Sequence, residues 1–137
     1  MEHPNADLVR GDFAALSAGN IEPVFARMTD DFLMVNDEGA GPWRELHGKA
    51  AVLDFWTRWM ELFDNTFRQD ITNVFAEDDR VVLFIHEHGS ARGQHYDNRA
   101  IYLMRIRDAR YTELRTLDTD RENVTRFWSA VGVPATA

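Results

Sequence analysis

The chain has no cysteine, which excludes disulfides, thiolate nucleophiles, zinc fingers and cysteine-ligated clusters together. It is also short of positive charge. Fifteen lysines and arginines stand against 23 aspartates and glutamates, a net charge of -8 with a pI of about 5.0, so a nucleic-acid backbone or an anionic lipid surface is repelled. No apolar run approaches the roughly 18 residues that a membrane span needs, and the opening MEHPNADLVRGD lacks a basic start followed by an apolar stretch. Nucleic acid and membrane are therefore not expected partners, and a soluble cytoplasmic protein is the expectation. There is no repeat, no low-complexity tract and no Pro/Ser-rich linker. Nor is there a Gly-rich phosphate cradle, a nucleophile elbow or a dinucleotide fingerprint, so no cofactor is expected.

What is present is apolar material throughout. Within 137 residues, 45% are hydrophobic and 12% aromatic, enough for one core and one domain spanning 1–137, with its core at about 5–130. Leu8, Val9, Phe13 and Leu16 have helical spacing and predict a helix over about 5–18, stopped by Gly19. Asn20 can cap a short second helix with Pro23 in its first turn and Val24, Phe25 and Met28 on its apolar side, broken by Thr29-Asp30-Asp31. A short strand is expected at 32–36. The loop Asp37-Glu38-Gly39-Ala40-Gly41-Pro42 then delivers Trp43 to whatever it covers.

After Gly48, the residues Val52, Phe55, Trp56, Trp59, Met60 and Phe63 mark a long amphipathic helix. Its partner is a run of four strands at about 66–76, 80–90, 95–107 and 110–118, whose short connections make them antiparallel neighbours. Thr119-Asp120-Arg121-Glu122 reads as a capping box for a terminal helix with the stripe Val124, Phe127, Trp128 and Val131, ended by Gly132 and Pro134. Helices followed by a strand run define an α+β fold: a curved, antiparallel (mixed) sheet covered by three to four helices, a cone able to enclose a pocket.

Strand alternation nominates the pocket residues. On 95–107 the even face, with Tyr96, Asn98, Ala100, Tyr102, Met104 and Ile106, is the inner one, and Asn98 and the Tyr102 hydroxyl need partners there. On 110–118 the even set Thr112, Leu114, Thr116 and Asp118 suits a concave wall with Asp118 at its rim. Phe32, Met34 and Asn36 share a face, and Asp12 falls inside the apolar stripe of the first helix. The strand 80–90 is apolar on both faces, so alternation leaves open whether His86 and His88 or Glu87 point inward.

The strings Gly19-Asn20-Ile21-Glu22, Met28-Thr29-Asp30-Asp31-Phe32, Leu46-His47-Gly48, Tyr102-Leu103-Met104-Arg105-Ile106 and Tyr111-Thr112-Glu113-Leu114, with Asp118, resemble the nuclear transport factor 2-like superfamily. Within it the SnoaL-like and ketosteroid-isomerase-like proteins are the most similar. The resemblance covers about residues 5–130 and implies a conical fold and a homodimer through the outer face of the sheet. It leaves the activity open, because isomerases, cyclases, epoxide hydrolases, dehydratases and non-catalytic binding modules share the fold. The carboxylate base of the steroid isomerases falls at Asn36, an amide that cannot abstract a proton. Their oxyanion donors fall at Asp12 and Tyr102, a carboxyl and a phenol with exchanged places facing each other across the cavity. The acid/base aspartate of SnoaL-like polyketide cyclases falls at Asp118, while Asn36 and Tyr102 match the water-holding residues of the epoxide hydrolases.

The candidate catalytic residues are thus Asp118, Asp12, Tyr102, Asn36 and, as a possible general base, His86. Trp43, Trp56, Trp59, Phe63, Asn98, Met104, Leu114 and Thr116 are the candidate substrate-binding wall. Two readings follow. One is a cofactor-free enzyme moving protons on a small hydrophobic, carbonyl- or hydroxyl-bearing molecule. The other is a non-catalytic module that binds a hydrophobic ligand or a protein. A metal held by His86, His88 and His95 is the weakest option, since that spacing lacks a fixed carboxylate.

Overall fold

Hairpin turns and helix caps cut the chain into ten elements among the residues that the computed structural model describes, 3–37 and 41–133. Glu38, Gly39 and Ala40 of the expected loop, and Pro134 of the expected helix stop, lie outside them. Helix α1 (Pro4–Ser17) starts with proline in its first turn, and His3 Nδ1 accepts from the Asn5 amide at 3.1 Å. Helix α2 (Glu22–Arg27) follows an Asn20 side chain that accepts from the Glu22 amide. The helix ends before Thr29-Asp30-Asp31 as expected, but strand β1 (Met28–Asn36) begins earlier: Met28 belongs to it rather than to α2, as do Thr29, Asp30 and Asp31, and it is irregular between Met28 and Leu33. A short strand β2 (Glu45–His47), not expected from the sequence, pairs with β1.

Helix α3 (Lys49–Leu62) is followed by β3 (Arg68–Glu77), β4 (Arg80–Ala91), β5 (Gln94–Arg107) and β6 (Arg110–Asp118), each strand within two residues of its predicted boundaries. Helix α4 (Arg121–Val131) is capped by Asp120, which accepts from the Asn123 amide at 3.1 Å, and ends at Gly132 with φ 82°. Thr119 does not cap it: its hydroxyl donates to the Arg99 carbonyl. No helix among the described residues is long and apolar enough to cross a membrane.

The six strands form one curved, mixed sheet in the order β2-β1-β6-β5-β4-β3, antiparallel except where β1 runs parallel to β6. The inner face of β5 is the even one, as alternation predicts. On β6 a register shift opposite Arg105 and Ile106 buries Tyr111 in place of Thr112, after which Leu114 and Thr116 return to the inner face. Two apolar clusters fill the concave side. One joins α1 and α2 to the sheet through Phe13, Leu16, Leu83, Ile85, Tyr102 and Leu114. The other joins the end of α3 to α4 through Phe63, Phe67, Tyr96, Phe127 and Trp128. Trp56 packs against both, and the space between them is where a cavity remains.

Two small residues control this packing in opposite senses. A methyl on Gly89 would lie 2.9 Å from the Phe67 Cα and 3.1 Å from the Phe63 ring, because the connection between α3 and β3 presses directly on the β4 backbone there. Ala109, by contrast, occupies the β5–β6 turn at φ 60°, beside Asp108 at φ 53°, a conformation that costs a Cβ-bearing residue about 1 kcal/mol. Gly89→Ala is expected to lower stability by about 1–3 kcal/mol and Ala109→Gly to raise it by up to about 1 kcal/mol, read from chemical denaturation midpoints.

Candidate active site

The cavity sits over the middle of the sheet. Its floor is built from Asn36 on β1, Thr116 and Asp118 on β6, Tyr96 and Tyr102 on β5, Glu87 on β4 and Gln69 on β3. Its walls are aromatic: Trp43 from the β1–β2 connection, Phe55, Trp56 and Trp59 from α3, Phe67, and Trp128 from α4. The cavity volume is about 50 Å³, room for a few water molecules. A wide surface groove of about 570 Å³ lies beyond and shares Trp43, Phe55 and Trp59 with it.

At the centre is Glu87, which the sequence left unassigned. Strand partners across a hairpin share a face, and Glu87 pairs with Asn98, so it points inward and its neighbours His86 and His88 point out. Asn98 Nδ2 donates at 3.0 Å to Glu87 Oε1 and at 3.0 Å to Asp118 Oδ1, bridging the two carboxyl groups with one amide. The Tyr96 hydroxyl donates to Glu87 Oε1 at 3.1 Å, and the Tyr102 hydroxyl donates to Glu87 Oε2. Gln69 Nε2 in turn donates to the Tyr102 oxygen at 2.6 Å. Burial pushes the Glu87 carboxyl above the ordinary carboxylate range and the nearby Asp118 charge adds to this, against the donors that favour the anion. Burial and the same carboxyl raise both tyrosines far above their usual range, so they stay protonated donors.

Several expected site residues are elsewhere. Asp12 does not face Tyr102 across the cavity. Its Oδ2 accepts from Arg27 Nε at 2.6 Å and from the Tyr111 hydroxyl at 2.6 Å, a buried pairing that ties α1 to α2 and β6. His86 lies on the outer face against Asp97. Met104 and Leu114 face each other across β5 and β6 inside the first apolar cluster, and Phe63 is buried in the second; none of the three borders the cavity. Asn98 sits behind the floor rather than on it. Asn36 is on the cavity but engaged, donating to the Trp43 carbonyl at 3.0 Å and accepting from Thr116 at 3.2 Å, which fixes the aromatic wall. Asp118, Tyr102, Asn36, Trp43, Trp56, Trp59 and Thr116 do converge there. Glu87, Gln69, Tyr96, Phe55, Phe67 and Trp128 are among the lining residues missed.

The SnoaL-like domain family matches residues 9–114, and the chain belongs to it. No curated protein matches the sequence. Among solved structures, Bal32a from a soil-derived mobile gene cassette is similar with a TM-score of 0.81 at 19% identity, over 90% of this chain and 95% of that one. A candidate SnoaL-like polyketide cyclase from Jannaschia sp. CCS1 gives 0.75 at 18% identity, with 98% of both chains covered. IdmH, a candidate polyketide cyclase from Streptomyces antibioticus, gives 0.72 at 19% identity over 96% of this chain and all of that one. At these identities the likeness establishes the nuclear transport factor 2-like fold.

Because Glu87 holds its proton more tightly folded than unfolded, its contribution to stability is complete below the unfolded pKa and is lost as pH rises through the folded value. Stability is therefore expected to fall, by up to about 1.4 kcal/mol per pH unit, above the ordinary glutamate range, and Glu87→Gln is expected to remove that decline in denaturation curves taken across pH. Asp12→Ala, which strands the Tyr111 hydroxyl, is expected to cost about 1–3 kcal/mol of stability, read from the same curves.

Proposed function

We propose that this protein is a cofactor-free acid/base enzyme acting on a small hydrophobic, carbonyl- or hydroxyl-bearing molecule, by isomerisation, aldol-type cyclisation, dehydration or epoxide opening. The observation that carries the proposal is the Glu87–Asn98–Asp118 bridge, two carboxyl groups sharing one amide donor at the floor of an aromatic cavity. Two carboxyl groups in different surroundings divide the work of acid and base. In this reading Asp118, at the end of β6, accepts the substrate proton, and Glu87, which burial keeps protonated against its three donors, is the acid that gives a proton to the substrate oxygen. Tyr102 and Tyr96 act as positioning residues through Glu87. Gln69 Oε1 is buried without a partner at the cavity wall, which suits a substrate hydroxyl. The candidate polyketide cyclases among the structural neighbours favour the cyclase type.

The other partner we propose is a second copy of the chain, docked on the outer face of the sheet. Phe75, 55% exposed, packs against Phe84 there with Leu103 nearby, large apolar side chains with no cover.

Turnover of hydrophobic ketones, polyketide-like diketones and epoxides, followed by mass spectrometry and by solvent-deuterium incorporation, tests the enzyme reading. Asp118→Asn is expected to reduce kcat at least about a hundredfold and Glu87→Gln to a similar degree, with circular dichroism confirming folding. Full activity in both variants would overturn the assignment. Tight binding of such compounds without any turnover or exchange would replace it with a hydrophobic-ligand module of the same fold.

A further inference from the structure

The outer face of β4 carries a cluster that the acid/base site does not use. The residues flanking Glu87 turn away from the cavity, and the rings of His86 and His88 lie 4.9 Å apart there. Asp70, paired with His86 across the β3–β4 ladder, brings a carboxylate to the same point, with Oδ2 2.7 Å from His88 Nε2. One ligand atom from each of Asp70, His86 and His88 lies within 4.8 Å of the other two. His95, which the sequence reading set beside the two histidines, is exposed at the far end of the hairpin, opposite Ser90.

We propose that Asp70, His86 and His88 form a binding site for a divalent transition-metal ion of the zinc type, clipping the edge strand β3 to β4. Two imidazoles and a carboxylate are a donor set that suits zinc, and the partial exposure of all three leaves a position for water. The surroundings orient the donors as a second shell does. Asp97 Oδ1 is 2.8 Å from His86 Nε2, which leaves His86 Nδ1 to face the ion, and Ser17 from α1 donates to the other oxygen of Asp70. The ion would take the place of the hydrogen bond between His88 and Asp70. The opposing charges are few. Arg99 stands across from His86, while Arg68, across from His88, is turned to the Phe67 carbonyl; Arg10 borders the groove next to Asp70. The carboxylates of Asp70 and Asp97 offset them.

The test is titration of untagged full-length protein with zinc ions alone, by calorimetry and by metal analysis after dialysis. One zinc per chain is expected, with a rise in melting temperature on saturation. Asp70→Asn should weaken binding at least about tenfold and Asp97→Asn about tenfold, and the His86→Ala/His88→Ala double variant should abolish it. Folding of the metal-free variants is checked by circular dichroism. Glu87→Gln, on the other face of the strand, should bind zinc as the wild type does, so this result stands or falls apart from the catalytic reading. Absence of a stoichiometric site, or wild-type affinity in the double variant, overturns the proposal and leaves only adventitious binding to exposed histidines.

Discussion

A carboxyl group in the middle of a sheet has to be either neutral or surrounded by donors, and Glu87 comes close to being both. Burial drives it toward the acid, while Tyr102, Tyr96 and Asn98 would each gain from the anion. Their positions follow from this competition. Tyr96, Asn98 and Tyr102 occupy inward sites of β5 opposite β4, with only Ala100 intervening, so one long hairpin presents all three donors to one acid. Gln69 extends the network to the edge strand and Asp118 extends it to β6. Six polar side chains from four strands, Glu87 included, are thereby joined in one network. The aromatic walls pack around it although two buried oxygens of the network, Gln69 Oε1 and Asn98 Oδ1, are left without a partner.

The same hairpin explains what could and could not be read from residues alone. The inner face of β5 was legible because its even positions carry no charge from 96 to 106, while Asp97, Arg99, Arg105 and Arg107 mark the odd face on either side of Ile101 and Leu103. Strand β4 was not legible on its own terms, since Val82 and Phe84 on the outer face are as apolar as Val81, Leu83 and Ile85. Yet the information was present one step away. With Arg92-Gly93 as the turn, an inward Asn98 requires an inward Glu87, and Gly89 marked the place where another backbone presses on the strand. Asp12 misled for a different reason. Its place in the apolar stripe of α1 correctly showed burial, but burial does not choose between a pocket and an ion pair, and Arg27 and Tyr111 lie 15 and 99 residues away along the chain. Tyr111 itself reached the inner face only through an irregular register that no alternation rule anticipates. Met104 and Leu114 pointed inward as expected; what alternation could not say was how far along each strand the cavity extends before the core closes it.

The aromatic residues carry two demands that pull in different directions. Trp59 contacts Phe63, Phe67 and Trp128, and Phe63 stacks on Phe127, so the α3–α4 side of the cavity is the second apolar core and is as immobile as packing makes it. Trp43 differs: its ring meets Phe55, and the chain on which it sits is held through backbone carbonyls by Asn36 and Arg44. A cavity of about 50 Å³ admits water but no carbonyl compound of useful size, whereas the groove beyond holds about 570 Å³. Of the three residues that border both the cavity and the groove, Trp59 packs on the second apolar core, whereas Trp43 and Phe55 lie outside both clusters and are the less buttressed part of the partition between cavity and groove. A substrate that displaces those two rings gains apolar contact on both sides and excludes the solvent that would otherwise level the two carboxyl groups. Chemistry at the floor and selectivity at the partition are then set by different residues. Asn36, with its side chain bonded to Trp43 and Thr116 and its surface on the cavity, is the point where the two are joined.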